Sequence, residues 1–261
     1  MHRTLLLTTL LGALAATPAQ AGTKVYSKIK LSFWGVTVGD MQSVVSVDGA
    51  RYAIGGKVDT TGIAKVLAPT KASFNSSGAV AGRQVVPAAH KLDYAQRRKR
   101  GSVRMDFRNG NVVKAISNPK PKPRADRVPV KPVHLKKVLD PVSSLVFAVK
   151  PGEVGQGASV CARTLPIYDG VNRADLVLSH KRTRTTRVKG FRGKVHTCAV
   201  RYRPVAGHRT SRKSTREFAA NRSMEISVAQ VGDTPVYALF GFKVRTARGT
   251  ASGEATTFQL Q

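Results

Sequence analysis

Apolar and polar residues alternate at a period of two along most of this chain, and this pattern restricts the fold more than any other sequence feature. Val103, Met105 and Phe107 alternate with charged neighbours, and a longer run follows from Val236 to Val244. Successive side chains of a β-strand point to opposite faces of a sheet, so this period is typical of half-buried strands. Helical spacing does not recur. The chain therefore predicts an all-β fold, either a curved antiparallel sheet or an open or spiral β-barrel.

Turn and cap residues divide the alternating runs. Asn109-Gly110 lies between two such runs and predicts a tight hairpin. Five prolines among Lys and Arg residues predict an extended connector over about 118–132. Asp140-Pro141 then has the residue types of a helix N-cap and first helical position, and Pro151-Gly152 would end the element. We therefore predict one short helix near 141–150.

The first 21 residues predict export. A positively charged start, Met1-His2-Arg3, precedes an apolar stretch over 5–16, and Ala19-Gln20-Ala21 offers the small residues of a cleavage site. The apolar stretch is too short to cross a bilayer. We expect residues 1–21 to be a cleaved signal peptide, residues 22–261 to form a single β-rich domain, and the mature protein to reside in the periplasm.

The chain has two cysteines, Cys161 and Cys198. An even number of cysteines in an oxidising compartment predicts a disulfide. The alternative is a metal site that includes His196, but a single histidine neighbours the pair and no four-ligand spacing occurs. We predict a disulfide, no metal site and no cofactor.

Positive charge dominates the composition and is concentrated in one stretch. The net charge is +30, and residues 176–216 hold thirteen Lys and Arg residues without an Asp or Glu. Strands would align outward-facing cations in rows, and Arg binds phosphate or carboxylate groups in bidentate fashion. Phe191 and Tyr202 are the two aromatic residues here, too few for single-strand nucleic-acid binding by stacking. The predicted anion-binding residues are Lys181, Arg182, Arg184, Arg201 and Arg203.

These cations predict an anionic partner from the cell envelope. In an exported protein that partner is an anionic lipid, lipopolysaccharide or an acidic glycan, and a second envelope protein is a further candidate. We expect no specific nucleic acid and no membrane-spanning segment. The alternative is a solvated basic face that binds nothing.

The sequence contains no recognisable catalytic motif. The G-x-S-x-G, H-E-x-x-H and P-loop patterns are all absent. Asp169 and Asp175 form the one candidate acid pair, with Arg173 between them, but a turn and a surface ion pair account for these residues. We therefore favour a non-enzymatic protein and assign no catalytic residue.

Several motifs occur in a characteristic order. The residues Asp140-Pro141-Val142-Ser143-Ser144-Leu145, Cys161, Pro166-Ile167-Tyr168-Asp169-Gly170, Arg173, Leu176, Cys198 and Pro204-Val205-Ala206-Gly207 follow one another, and Tyr26, Gly35 and Gly39 fit the opening strands. In this order they resemble the DUF3108 family of exported proteins from Gram-negative bacteria. The resemblance implies an exported β-rich protein with paired cysteines and no assigned activity. In outline this architecture is similar to exported β-barrel-like proteins linked to envelope integrity. The chain departs from the family by its high Arg content.

Together these features predict a periplasmic protein that supports the cell envelope by binding an anionic or amphiphilic envelope component. The alternatives are an enzyme of unfamiliar type that acts on envelope glycans, and a basic scaffold that docks on another envelope protein. An apolar cavity favours the first hypothesis, converging carboxylates the second, and a flat basic face the third.

Overall fold

The computed structural model describes residues 22–261, which form mainly antiparallel β-strands. The predicted signal peptide, residues 1–21, lies outside the described residues. The strands are β1 Thr23–Phe33, β2 Val36–Asp48, β3 Arg51–Thr60, β4 Thr70–Ala81, β5 Gln84–Gln96, β6 Lys99–Arg108, β7 Asn111–Asn118, β8 Val146–Ala148, β9 Arg163–Tyr168, β10 Arg173–Val188, β11 Phe191–Ala206, β12 Met224–Gln230, β13 Val236–Thr246 and β14 Gly249–Leu260. The α-helices of this region are α1 Gly62–Leu67, α2 Gly157–Cys161 and α3 Lys213–Ala220. Single 3₁₀ turns span Pro132–Leu135, Ser143–Leu145 and Pro151–Glu153. None of the helices in residues 22–261 has the length and apolar character needed to cross a membrane.

One 14-stranded sheet contains all the strands. Its order is β7-β6-β5-β4-β3-β2-β1-β14-β13-β12-β11-β10-β9, and β8 pairs with β13. The sheet consists of two meanders, and β1 joins them by pairing with β14. The all-β antiparallel prediction is confirmed. The Asn109-Gly110 hairpin is also confirmed, since it joins β6 to β7 with the positive φ angles that such a turn requires.

The sheet is open, and the chain between its two edge strands bridges the gap. β7 and β9 are the ends of the strand order. The Val138 N–H donates to the Gly110 carbonyl at the β6–β7 turn, and Leu139 exchanges hydrogen bonds with Pro166 and Tyr168 of β9. Val138 and Leu139 therefore satisfy edge groups that a closed barrel would pair directly. This arrangement agrees with the open or spiral form of the prediction.

The main hydrophobic core lies between the two meanders. Ile29 and Val45 from the first meander share one buried cluster with Val195 and Phe240 from the second. The rings of Phe191, Phe240 and Phe258 meet there at centroid distances of 5.2–5.6 Å. Burial of each such side chain contributes roughly 1.5–3 kcal/mol. Apolar residues alternate along the strands because one face of the sheet packs into this core and the other does not.

The predicted helix near 141–150 is wrong. Asp140 does cap a turn, because its Oδ1 accepts the N–H groups of Val142 and Ser143, but the turn ends at Leu145. The chain then forms β8, and every residue from Val146 to Val149 is buried. A continuous apolar run that is rich in Val suits a strand buried on both faces, and pairing with β13 satisfies its backbone. Tertiary pairing outweighs the cap signal here.

Candidate functional site

A large cavity lies at one end of the second meander, between the sheet and α3. Its volume is about 780 Å³, within the range of about 300–1,000 Å³ that is typical of small-molecule sites. One apolar face of β10–β13 forms its floor. The floor residues are Leu176, Val200, Tyr202, Met224, Ile226, Phe242 and Val244. We call this space the α3 cavity.

Strand register brings the floor residues together. Leu176 is paired with Tyr202, Val200 with Met224, and Met224 in turn with Val244. Paired residues of antiparallel strands point to the same face, so the alternating apolar residues of four strands form one continuous surface. Leu176, Tyr202 and Val244 stay partly exposed. The sequence pattern indicated a core-facing surface, but the structure leaves this part of it incompletely covered.

Helix α3 covers the floor without packing tightly against it. None of the helix residues is buried, and the side chain of Phe218 is 41% exposed. Its ring contacts Tyr202 edge-on at a centroid distance of 6.3 Å. Ser214 and Thr215 face the same space, and Pro119 and Pro121 line it from the connector. Because α3 does not pack closely against the sheet, an apolar space remains between them.

Cationic and polar groups line the remaining wall of the α3 cavity. They come from Arg127, His208, Arg209 and Arg212. Arg209 Nε donates to both carboxylate oxygens of Asp126 at 3.0 Å. The Arg212 side chain is exposed and has no hydrogen-bond or ion-pair partner within residues 22–261.

Two buried polar atoms on this wall lack a partner. Arg127 Nη1 donates to the Gly207 carbonyl, but Arg127 Nε is buried without an acceptor. His208 Nδ1 is likewise buried and unpaired among the described residues. An unsatisfied buried polar atom costs about 1–3 kcal/mol.

Glu225 is the acidic residue of the cavity wall, and two cations neutralise it. Lys181 Nζ lies 2.5 Å and an Arg182 Nη atom 3.0 Å from its carboxylate oxygens. Burial would raise the pKa of Glu225, but the hydrogen bonds and charges of Lys181 and Arg182 outweigh it and lower this pKa. The wall therefore keeps a net positive character.

The two cysteines are bonded, as the sequence predicted. Cys161 ends α2, Cys198 lies in β11, and their sulfur atoms are 2.03 Å apart. Both are fully buried in a second core, which also contains Phe147, Val160 and Tyr237. His196 Nδ1 is in contact with Thr183 Oγ1 at 2.8 Å. In residues 22–261 no group of three His, Cys, Asp or Glu side chains is placed to hold a metal ion.

A buried polar network surrounds Asp140, and sequence analysis missed it. Ser76 Oγ donates to Asp140 Oδ1 at 2.7 Å, and His90 Nδ1 lies 3.0 Å from the same oxygen. Ser143 Oγ lies 2.5 Å from Oδ2 and contacts Tyr52 Oη at 2.6 Å. The side chains thus come from β3, β4, β5 and the 3₁₀ turn. The Asp-Pro motif suggested a cap but contained no information about the strand residues that meet it.

The network contains Ser, His and Asp but does not form a catalytic triad. The side chains of His90 and Asp140 are almost completely buried. Ser76 Oγ lies 2.9 Å from His90 Nδ1 but donates its proton to the carboxylate, so the hydroxyl is not arranged as a nucleophile with the imidazole as its base. Burial would raise the pKa of Asp140, but the hydrogen bond and charge of His90, with those of Ser143, hold it below its usual range. Burial also raises the pKa of the Tyr52 hydroxyl. This network holds the fold together.

A family model described as "Protein of unknown function (DUF3108)" matches residues 24–251. The match extends from β1 into β14 and includes both cysteines, the Asp140 network and the α3 cavity. The chain belongs to the DUF3108 family. This confirms the resemblance that the motifs from Asp140 to Gly207 indicated. The motif residues Asp140 and Ser143 now have a structural role in this DUF3108 protein, because they anchor the segment before β8 to β3–β5.

Among solved structures, the DUF3108 chain is similar to a protein from Brucella abortus. That structure is described as a β-barrel-like protein of domain of unknown function DUF1849. The TM-score is 0.52 at 8% sequence identity, and the match covers 92% of this chain and 98% of the other. At this identity the similarity shows a shared β-barrel-like fold. No curated protein sequence matches the chain.

The structure spreads the predicted anion-binding residues of this DUF3108 protein over one face of β10 and β11. Lys181 and Arg182 contact Glu225, a counter-charge from β12 that residues 176–216 did not contain. Arg203 is paired in register with Asp175, and Arg201 with Val177. Partial desolvation and the guanidinium groups of Arg222 and Arg203 lower the pKa of Arg201.

Arg184 lies apart from Arg201 and Arg203. Its register partner is Val195, six residues from Arg201 along β11, which corresponds to about 20 Å. None of the five residues lines the α3 cavity. Their role in anion binding stays a prediction, and the structure offers a different set of cations at the cavity wall.

The candidate acid pair has structural partners. Asp169 Oδ1 accepts the N–H groups of Val171 and Asn172 at 2.8 and 2.6 Å, which forms a turn. Asp175 lies 2.7 Å from an Arg173 Nη atom. Neither carboxylate lines the α3 cavity. The geometry therefore gives these residues the turn and ion-pair roles that the sequence also allowed.

Proposed function

We propose that this protein is a non-enzymatic periplasmic binding protein and that its α3 cavity takes up an anionic amphiphile of the cell envelope. The apolar part of the ligand would lie on the floor formed by β10–β13. Its anionic group would lie at the wall formed by Arg127, His208 and Arg212. Through this binding the protein would support envelope integrity.

One observation supports this proposal above all others. A partly exposed apolar sheet face and a cationic wall line the same 780 Å³ space. An apolar surface inside a cavity favours a ligand with hydrocarbon, since hydration of that surface is unfavourable. The unpaired guanidinium group of Arg212 beside it favours a carboxylate or phosphate, which Arg binds with charge-assisted hydrogen bonds. An amphiphile with an anionic head combines both groups in one molecule.

The apolar contact can be tested with a fluorescent fatty acid. We expect the mature protein to bind cis-parinaric acid, and Leu176→Gln to weaken binding about tenfold or more, because an unpaired amide would enter the floor. Val177→Gln is the matched control, since Val177 is equally half-buried but lies outside the cavity on the opposite face of β10. Equal binding by both variants and the parent would rule out the floor as the site.

The anionic contact requires a different measurement. We expect lysophosphatidylglycerol to displace the probe better than zwitterionic lysophosphatidylcholine. Arg212→Gln should reduce this preference by about fivefold or more, because a charge-assisted hydrogen bond is lost. Arg184→Gln, outside the cavity, should behave as the parent. An unchanged preference in Arg212→Gln, or its loss in Arg184→Gln, would contradict the proposed position of the anionic group. Native mass spectrometry of protein from its own periplasm would identify a retained ligand directly.

A further inference from the structure

Antiparallel topology collects alternate connections at one end of the sheet. The β1–β2, β3–β4, β5–β6, β9–β10, β11–β12 and β13–β14 connections lie at this end, together with the chain that leaves β7. We call it the Trp34 end, after the residue at the tip of the β1–β2 hairpin. The α3 cavity lies at the same end, since α3 belongs to the β11–β12 connection.

Exposed apolar side chains are concentrated at the Trp34 end. Ten large apolar residues in the described part of the chain are exposed, and three of them, Val113, Val133 and Leu260, lie elsewhere. The other seven lie in these connections or within two residues of a strand end: Phe33, Trp34, Val36, Val66, Tyr94, Ile116 and Phe218. Single exposed apolar residues are ordinary, but a cluster at one end of a molecule marks an interaction surface.

The β1–β2 hairpin presents Trp34 in a defined orientation. Trp34 is 71% exposed, and its ring stacks on Phe33 at a centroid distance of 5.7 Å and an interplanar angle of 17°. The backbone N–H of Trp34 donates to the Thr250 carbonyl at 2.9 Å. The indole lies against Gly249, where a Cβ atom would come within 2.0 Å of Trp34 Nε1. The missing side chain at Gly249 thus leaves room for the Trp34 indole, although the indole stays largely exposed.

Cations surround the exposed aromatic residues. Arg245 and Arg248 flank the β13–β14 turn beside Trp34, Lys65 lies in α1, and Arg98 and Lys99 lie at the β5–β6 turn. All five are exposed, and residues 34–35, 61–69, 97–98 and 247–248 contain no acidic residue. Asp59, Asp175 and Glu225 lie within two residues of strand ends here; Asp175 contacts Arg173, and Glu225 contacts Lys181 and Arg182. The other acids of this end lie in the connections. There Asp126 binds Arg209, Asp169 accepts hydrogen bonds within its own turn, and Glu217 lies 3.9 Å from Lys213.

We propose that the Trp34 end docks on an anionic membrane surface, with Trp34 and Phe33 inserted at the level of the lipid headgroups. Tryptophan suits this level because its ring is apolar and its N–H is polar. Nearby Lys and Arg residues each add about 1 kcal/mol of attraction to an anionic bilayer. Aliphatic Val36 and Val66 favour lipid over nucleic acid, because they cannot stack on bases. Docking in this orientation brings the end that holds the α3 cavity to the membrane.

Trp34 itself reports the docking, since it is the single tryptophan of the 261 residues. Mature protein is mixed with vesicles of phosphatidylcholine, with or without an equal part of phosphatidylglycerol. With phosphatidylglycerol present, we expect the tryptophan emission to shift to shorter wavelength and brominated lipid to quench it. Raising salt from about 50 mM to about 500 mM should weaken binding severalfold, because exposed charges are screened. Cosedimentation without any change in Trp34 emission would overturn the proposal, since another face would then bind.

Variants at the two ends separate specific docking from general charge attraction. We expect Trp34→Ser with Phe33→Ser to reduce vesicle cosedimentation about tenfold, and Arg245→Gln with Arg248→Gln about fivefold. The matched controls are Val113→Ser and Arg184→Gln with Arg187→Gln, which change exposed residues outside the Trp34 end. Circular dichroism confirms that each variant is folded. Equal loss in the controls would contradict docking by this end.

Two further results distinguish membrane docking from ligand binding in the α3 cavity and from nucleic-acid binding. Leu176→Gln should dock as the parent does, so that a failure of cavity binding and a failure of docking are seen separately. A Trp34 emission shift caused by single-stranded DNA, with none caused by vesicles, would assign the surface to nucleic acid and overturn the membrane proposal.

Discussion

At the scale of single residues, the Asp140 carboxylate holds the segment before β8 against the first meander. It is completely buried and accepts hydrogen bonds from backbone and side chains at once. A buried charge is tolerated when paired donors replace its lost hydration. His90 and Ser76 from β5 and β4 supply that replacement here. Removing the charge weakens the acceptor that holds the donors of two strands.

We therefore expect Asp140→Asn to destabilise the fold strongly. Loss of one partner of a buried pair costs about 3–5 kcal/mol, and at this chain length the melting temperature should fall by on the order of 10 °C. Differential scanning calorimetry at about pH 7 measures this change. Ser144→Ala is a suitable control, because the Ser144 hydroxyl bonds to the Pro141 carbonyl and not to the carboxylate. A melting temperature like that of the parent would show that the network contributes little.

The same carboxylate predicts the pH dependence of stability. The pKa of Asp140 is lower in the folded protein than its ordinary value, so the folded state favours the ionised form. Its contribution is fully present above the unfolded pKa of about 3.9 and is lost as the pH falls through the folded pKa. We expect the difference in unfolding free energy between the parent and Asp140→Asn to be constant near neutrality and to shrink in acid. A difference that grows in acid would contradict the assigned charge.

At the scale of elements, the disulfide connects the short helix α2 to the long strand β11. The two cysteines are 37 residues apart in sequence. Closing a loop of this length restricts the unfolded chain and stabilises the fold by about 3–4 kcal/mol on the chain-entropy model. We expect Cys161→Ser with Cys198→Ser to lower the melting temperature by on the order of 10 °C. Reduced parent protein should melt like the variant, and two reactive thiols in unreduced parent would contradict the bond.

Elements differed in how well local sequence predicted them. The hairpin at Asn109-Gly110 was predictable, because its positive φ angles depend on the turn residues themselves. The helix predicted after Asp140 failed, because pairing with β13 made a strand of the apolar residues that follow. Helix α3 was missed, since its sequence, Lys213 to Ala220, continues the basic stretch and has no capping side chain. Long-range pairing with β13 decided the first of these elements, and the second lacks a strong local signal.

At the scale of the whole molecule, the pairing of β1 with β14 unites the two meanders. The C-terminal strand β14 lies between β1 and β13 in the middle of the sheet. It also contributes Ala255 and Phe258 to the main core. Terminal segments often tolerate removal, but burial and hydrogen bonding decide this more than position in sequence. In this fold the last strand is a central one.

We therefore expect deletion of residues 249–261 to prevent folding. The deletion would leave two unpaired strand edges, on β1 and β13, and expose the main core. The truncated chain should be insoluble, or lack the cooperative thermal transition and the β-sheet circular dichroism spectrum of the parent. Deletion of Gln261 alone serves as the control, since it removes a single backbone hydrogen bond to Lys24. A cooperative transition in the truncated chain would show that a meander folds without the β1–β14 pairing.

The sequence by itself determined the fold class, the cysteine pairing and the excess of positive charge. The fold class depends on local alternation and the charge on composition. The cysteine pairing was predictable because the chain has two cysteines. Only the tertiary structure decided where the charges meet counter-charges, as at Glu225, and where apolar strand faces stay uncovered, as at Leu176 and Tyr202. It also placed Trp34 beside the cations of distant connections. Alternation shows which side of a strand is apolar, but what covers that side depends on strand order and connections, which the chain specifies only through the whole fold.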